Sequence, residues 1–193
     1  MKNILYISYA TKKYLNVIDK YLLPSLERFN LDKLIYKFDV DFGSWNENAQ
    51  IKYLIILVSF LQNYEYLVWL DADSQILQYP ELFYKIPEEY DLGICYLNWK
   101  EFWNSKLDYN EVLGGTIYIK KSEKTIKLIK DVINKIAIER IWGQKALENL
   151  LKNNKNIKIY SLPLSYCQII KKDGIIPKNT VIAQWQKSRE FRK

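Results

Sequence analysis

Histidine is absent from this chain of 193 residues. There is therefore no imidazole to serve as a base near neutral pH, no Ser-His-Asp triad and no His-ligated zinc. Any general base must be Asp, Glu, Lys or Tyr. Any metal must be held mainly by oxygen, which points to magnesium, manganese or calcium. Cysteine is nearly as scarce: Cys95 and Cys167 lie far apart in the chain and read as two buried thiols rather than a disulfide. Glycine and proline are sparse, and no repeat, linker or low-complexity stretch divides the sequence. No run approaches the roughly 20 apolar residues of a membrane span. The opening residues to Tyr9 read as a first strand rather than a signal peptide, because charge follows so soon at Lys12 and Lys13. The expectation is one soluble, cytoplasmic domain over residues 1–193.

What is present is apolar content of 49 %, enough for a sizeable core, and a net charge of +7. The charge is unevenly placed. Residues 1–119 carry 11 Lys/Arg against 16 Asp/Glu, whereas residues 120–193 carry 18 against 6. A basic C-terminal third suits phosphates, nucleic acid or an anionic surface, or is simply the solvated face of lysine-rich helices.

Residues 3–9, 34–38, 66–70, 91–97, 115–119 and 157–160 read as strands. Between them, 12–29, 47–63, 123–137 and 143–153 have helical spacing, with Pro24 expected to kink or break the first and Ser122 to cap the third. Strands alternating with helices predict an α/β domain with a mostly parallel central sheet flanked by helices. The most informative stretch is Tyr66-Leu67-Val68-Trp69-Leu70-Asp71-Ala72-Asp73. Five apolar residues suit a strand buried on both faces, and two carboxylates follow where it would reach the carboxyl edge of its sheet. Open α/β sheets bind ligands at that edge, and two aspartates there can hold a divalent cation with its phosphates.

Other elements follow in order: Ser44-Trp45-Asn46 before a helix holding Lys52, Gly114-Gly115-Thr116, Trp142-Gly143-Gln144 opening a helix, and Gln184-Trp185-Gln186-Lys187-Ser188-Arg189. With Asp71-Ala72-Asp73 they resemble the nucleotide-sugar glycosyltransferases of the GT-A (Rossmann-like) fold, in particular the small bacterial and phage-type members. Haloacid-dehalogenase-type phosphatases also place Asp-x-Asp after an apolar strand, but near the N-terminus and with Thr or Val where this chain has Gln75.

The resemblance implies that Asp71 and Asp73 hold Mn2+ or Mg2+ and the diphosphate of a donor, UDP-sugar favoured. By the same likeness Gln184 stands where relatives often have a histidine as third metal ligand. Ser8, Tyr9 and Ala10 would face the nucleotide, Lys52 and Gly115 the donor, and Lys187, Ser188 and Arg189 the diphosphate, with residues 178–193 closing over the donor site. Gln144 would contact the sugar. Gly143 stands where relatives carry an acid, and Gly114 where they often have Ser or Asn. A carboxylate base for inverting transfer must then come from Asp108 or Glu111; retaining transfer needs none. The acceptor is a glycan, a lipid-linked glycan or a nucleic acid, and the aromatic residues Trp99, Phe102, Trp103 and Tyr109 suit sugars or stacked bases. A sugar nucleotidyltransferase and a non-catalytic nucleotide- or nucleic-acid-binding relative are the alternatives.

Overall fold

Continuous apolar runs, rather than alternating ones, require cover on both faces of a sheet. The computed structural model, which describes residues 2–187 and the side chains of all of these but Trp45 and Asn46, provides it. In chain order the elements are β1 (Ile4–Ala10), α1 (Leu15–Lys20), α2 (Leu22–Arg28), β2 (Lys33–Lys37), α3 (Trp45–Ser59), β3 (Tyr66–Leu70) and β4 (Ser74–Ile76). Then come α4 (Glu81–Lys85), β5 (Leu92–Asn98), α5 (Trp99–Trp103), β6 (Asn110–Lys120), α6 (Glu123–Glu139), α7 (Gly143–Asn153), β7 (Ile159–Leu162), β8 (Gln168–Ile169) and β9 (Ile182–Gln184). Six strands form the central sheet in the order β2-β1-β3-β6-β5-β7. All run parallel except β6, which is antiparallel to both neighbours.

Each strand feeds two cores. Tyr66, Val68 and Leu70 pack on one side with Tyr6, Leu22, Leu26 and Phe83. Leu67 and Trp69 pack on the other with Ile7, Tyr53, Ile56, Val132 and Leu147. The second face is covered by α3, α6 and α7; the first by α1, α2 and a small sheet, β4-β9-β8. Serine caps fix two of the covering helices: Ser44 and Glu47 form a capping box at α3, and Ser122 and Thr125 one at α6. Among the described residues no helix is long and apolar enough to cross a membrane.

Chain order and spatial order diverge at β1. The chain passes from β1 to β2 on one side and then returns to β3 on the other, so the carboxyl ends of β1 and β3 flank a crevice. β6 runs the opposite way and brings its middle to the same place, Thr116 lying opposite Leu70. Its pairing with β5 is broken there. Ile94 pairs with Ile117 but Cys95 with Leu113, so residues 114–116 have no counterpart on β5. This bulge pushes β6 backbone toward the crevice.

The structure corrects several sequence expectations. Pro24 lies in the first turn of α2, where a missing N–H costs no hydrogen bond, and the helical stretch is interrupted at Tyr21 instead. Gly114-Gly115 does not open a strand but sits inside one of 11 residues. The short elements β4, α4, α5, β8 and β9 carry too few residues to show a period. Residues 178–187 include a paired strand, β9, and only 188–193 lie outside the described residues.

One buried charge secures α7. The Glu148 side chain is 2 % exposed and accepts hydrogen bonds from Lys152, Tyr109 and Lys145. Burial alone would raise its carboxyl, but these donors outweigh burial and hold it at about 2. A carboxyl depressed on folding contributes stability above its unfolded value of 4.5 and loses it as pH falls toward 2. Glu148→Gln should therefore lower the unfolding free energy by about 2 kcal/mol at neutral pH. It should also flatten the loss of stability on acidification, as read by urea titrations across a pH series.

Candidate functional site

The site is built outward from the end of β3. Trp69 donates its indole N–H to Asp71 Oδ1 at 2.8 Å. Lys52, reaching across from α3, places Nζ 2.8 Å from the same oxygen. That ammonium also donates to the Gly114 carbonyl at 2.9 Å and lies 5.2 Å from the Trp69 ring centroid. The Asp71 N–H donates to the Gly115 carbonyl at 2.9 Å. One lysine thus ties α3, the end of β3 and the β6 bulge together through charge-assisted hydrogen bonds.

Asp73 is 7 % exposed. Its Oδ2 accepts the Lys187 N–H at 2.7 Å, and its carbonyl accepts the Trp185 N–H at 3.1 Å. Burial first, and then the charge of Asp71, push its carboxyl up to about 6. β9 holds this segment in place by pairing with β4 directly after the two aspartates. Gln184, on β9, accepts from the Ser74 hydroxyl at 2.9 Å and donates to Thr116 at 3.2 Å. A side chain at Gly115 would overlap the Gln184 amide, which is why a residue without one stands there.

On the far side of the bulge, Gln144 accepts the Gly114 N–H at 3.0 Å and donates to Glu111 Oε1 at 2.7 Å. Trp99 donates to the other Glu111 oxygen at 2.8 Å. Both carboxylate oxygens are therefore fixed in direction. Asp71, Asp73, Lys52, Glu111 and Gln144 all line one cavity of about 310 Å³ at the sheet's carboxyl edge.

Tyr9, Gly115 and Gln184 line it as well. Tyr9 is anchored by its hydroxyl on the Asn48 carbonyl, and burial, then the charge of Asp71, push its phenol far up, so it stays protonated. Ser8 and Ala10 do not line the cavity. Successive strand residues point to opposite faces, so a strand that turns Tyr9 to the crevice turns Ser8 and Ala10 into the other core. Asp108 is also away from the cavity; it accepts from Asn98 at 2.8 Å in an exposed turn. Lys187 meets the site through its backbone N–H to Asp73, whereas Ser188 and Arg189 lie outside the described residues.

Sequence reasoning missed Tyr53. Its side chain is 1 % exposed and lines the cavity, and its hydroxyl has no hydrogen-bond partner among the described residues. In the sequence it is one apolar-face residue of a helix that is apolar nearly all round, and carries no distinguishing signal. Tyr53 also explains Gly143: any side chain at that position would fall within the Tyr53 ring. The acid that the family resemblance leads one to expect there is excluded by packing.

Among the described residues no three or more Asp, Glu or Cys side chains come together as a metal cage. Asp71 and Asp73 are nonetheless two hard oxygen donors side by side, and the Gln184 oxygen keeps a lone pair after accepting from Ser74. Burial raises the Asp73 carboxyl most, and the charge of Asp71 adds to it, while Lys52 opposes both. This donor set suits a hard divalent cation that takes its remaining ligands from phosphate oxygens.

No family model matches the chain, and neither does any curated protein sequence. Among solved structures the chain is similar to a glycosyltransferase involved in the glycosylation of the major capsid of PBCV-1. The TM-score is 0.68, with 95 % of this chain and 93 % of that one covered at 10 % identity. The domain therefore has the fold of that glycosyltransferase over nearly its whole length.

Gly143→Asp, which would supply the acid at that position, should instead overpack Tyr53 and cost about 1–3 kcal/mol. A thermal melt several degrees below wild type is the expected result.

Proposed function

We propose that the protein transfers a glycosyl group from a nucleoside-diphosphate sugar, UDP-sugar favoured, to an acceptor hydroxyl. The observation that carries this reading is the convergence of Asp71, Asp73, Lys52 and Glu111 on one cavity, within the fold of a glycosyltransferase. Asp71 and Asp73, with Gln184 beside them, would hold Mn2+ or Mg2+. When bound, that cation supplies positive charge against the donor diphosphate.

The remaining work falls to the chain itself. Lys52 holds Asp71 in place and adds a fixed positive charge near the leaving group. Tyr53 offers its unpartnered hydroxyl, and Tyr9 presents a ring toward the nucleotide. Lys187 and Arg189 assist departure of the diphosphate. Glu111 is the base: the acceptor oxygen attacks the anomeric carbon, the bond from that carbon to the phosphate oxygen breaks, and its electron pair leaves with the diphosphate. The acceptor's proton passes to Glu111, whose direction is set by Trp99 and Gln144. A base on the acceptor side makes this an inverting transfer.

The test is consumption of UDP- and GDP-sugars with and without Mn2+ or Mg2+. Wild type should hydrolyse at least one donor in a metal-dependent way, and Asp73→Asn should slow it by about 100-fold or more. The reading is overturned if every donor survives and Asp73→Asn binds nucleotides as wild type does. Glu111→Gln should lower transfer by about 100-fold or more, with the anomeric configuration of the product, read by NMR, reporting inversion.

A further inference from the structure

We infer that the acceptor is a carbohydrate whose sugar ring stacks on Trp142, in a hollow that opens from the donor cavity at Glu111. This rests on the transferase reading for its chemistry but not for its binding. The hollow is shallow and open to solvent, and shares Glu111, Trp142 and Gln144 with the donor cavity. It extends over Trp99, Tyr109 and Lys145.

The aromatic side chains here are not equivalent. Trp99 and Tyr109 are already in use: their rings meet edge to face at 5.3 Å, and Lys145 and Lys152 each sit 5.4 Å from the Tyr109 centroid. Trp142 is different. Its backbone is fixed as the N-cap of α7, where its carbonyl accepts the Ala146 N–H at 3.1 Å. Its indole is 43 % exposed and makes no ring contact or hydrogen bond with the described residues. A half-exposed indole on a fixed backbone, beside a carboxylate, is a platform for a ligand with an apolar face and polar edges. A pyranose has that shape: its C–H face lies on the ring, while its hydroxyls reach Glu111 and Gln144.

Charge separates this ligand from a nucleic acid. Residues 98–111 carry Glu101, Asp108 and Glu111 against Lys100 and Lys106. Of the two lysines beside the hollow, Lys145 and Lys152, both are engaged by the buried Glu148. A phosphodiester backbone needs surplus positive charge, and would meet carboxylates instead. The charged residues that line the hollow itself are Glu111 and Glu148 against Lys145, so it offers a phosphodiester no surplus positive charge.

The experiment is saturation-transfer NMR and tryptophan fluorescence on the full chain, with a panel of methyl glycosides and disaccharides and a single-stranded oligonucleotide. At least one sugar should bind, and saturating UDP should not displace it. Trp142→Ala should weaken that sugar about tenfold or more, while Trp142→Phe, which keeps an aromatic face, should stay within about threefold. The inference is overturned if no sugar binds, if binding survives Trp142→Ala intact, or if the oligonucleotide binds in a Trp142-dependent way in place of sugars. Should Trp142→Ala fail to fold, Trp142→Phe against Trp142→Leu decides the question in the same terms. Donor hydrolysis by wild type is read separately. Sugar binding with every donor intact and nucleotide binding unchanged by Asp73→Asn sinks the transferase reading and leaves the binding inference standing; donor hydrolysis without sugar binding does the reverse.

Discussion

The Lys52 ammonium is the contact on which the candidate site depends. It bridges three elements that arrive from different parts of the chain: its own helix, the end of β3 through Asp71, and the β6 bulge through the Gly114 carbonyl. Without a cation there, Asp71 and Asp73 would be left, among the described residues, with the Trp69 indole and backbone N–H groups as their donors. Coulomb repulsion would then favour protonating one carboxyl or moving it to water. Lys52 also fixes the bulge, and the bulge in turn presents the Gly114 N–H to Gln144, which orients Glu111. Asp71 and Glu111 are thus connected through one lysine and the bulge it holds.

The absence of histidine takes on a definite meaning in this setting. Gln184 is packed against Gly115 and bonded on both ends, to Ser74 and Thr116. It serves first as a strut between β9, β4 and β6, and only its spare lone pair is available to a ligand. The glycine before Gln144 belongs to a different trade, in which the Tyr53 ring takes the space an acidic side chain would need. The carboxylate on that side is supplied by Glu111, which comes from β6 rather than from the helix.

The sequence was legible where one physical signal dominated. Five apolar residues ending in Asp71 can be read as a buried strand at a sheet edge, because burial on both faces leaves no other pattern. The amphipathic α6 and its serine cap are equally plain. Resemblance assigns Ser8, Tyr9 and Ala10 together to the ligand, whereas strand geometry turns only Tyr9 of the three toward the cavity. Asp108 and Glu111 could not be told apart from spacing alone, since the distinction lies in Trp99 and Gln144, which are distant in sequence or offer no pattern. Tyr53 was hidden for the same reason: an orphaned hydroxyl is a property of three-dimensional surroundings. The small sheet escaped because two- and three-residue strands have no period.

That small sheet has a consequence for how the protein comes into being. Ser74 meets Gln184 across 110 residues of chain, and Asp73 meets Lys187 across 114. Contacts so far apart in sequence cost least once the intervening chain is itself folded and the loop between them is short. During synthesis the six-stranded sheet has all its strands once β7 has emerged, while the aspartates still lack their cover. A chain paused at that stage would be folded in bulk yet present its two carboxylates bare. The cover over the two aspartates is therefore supplied by a strand that follows every strand of the six-stranded sheet in the chain.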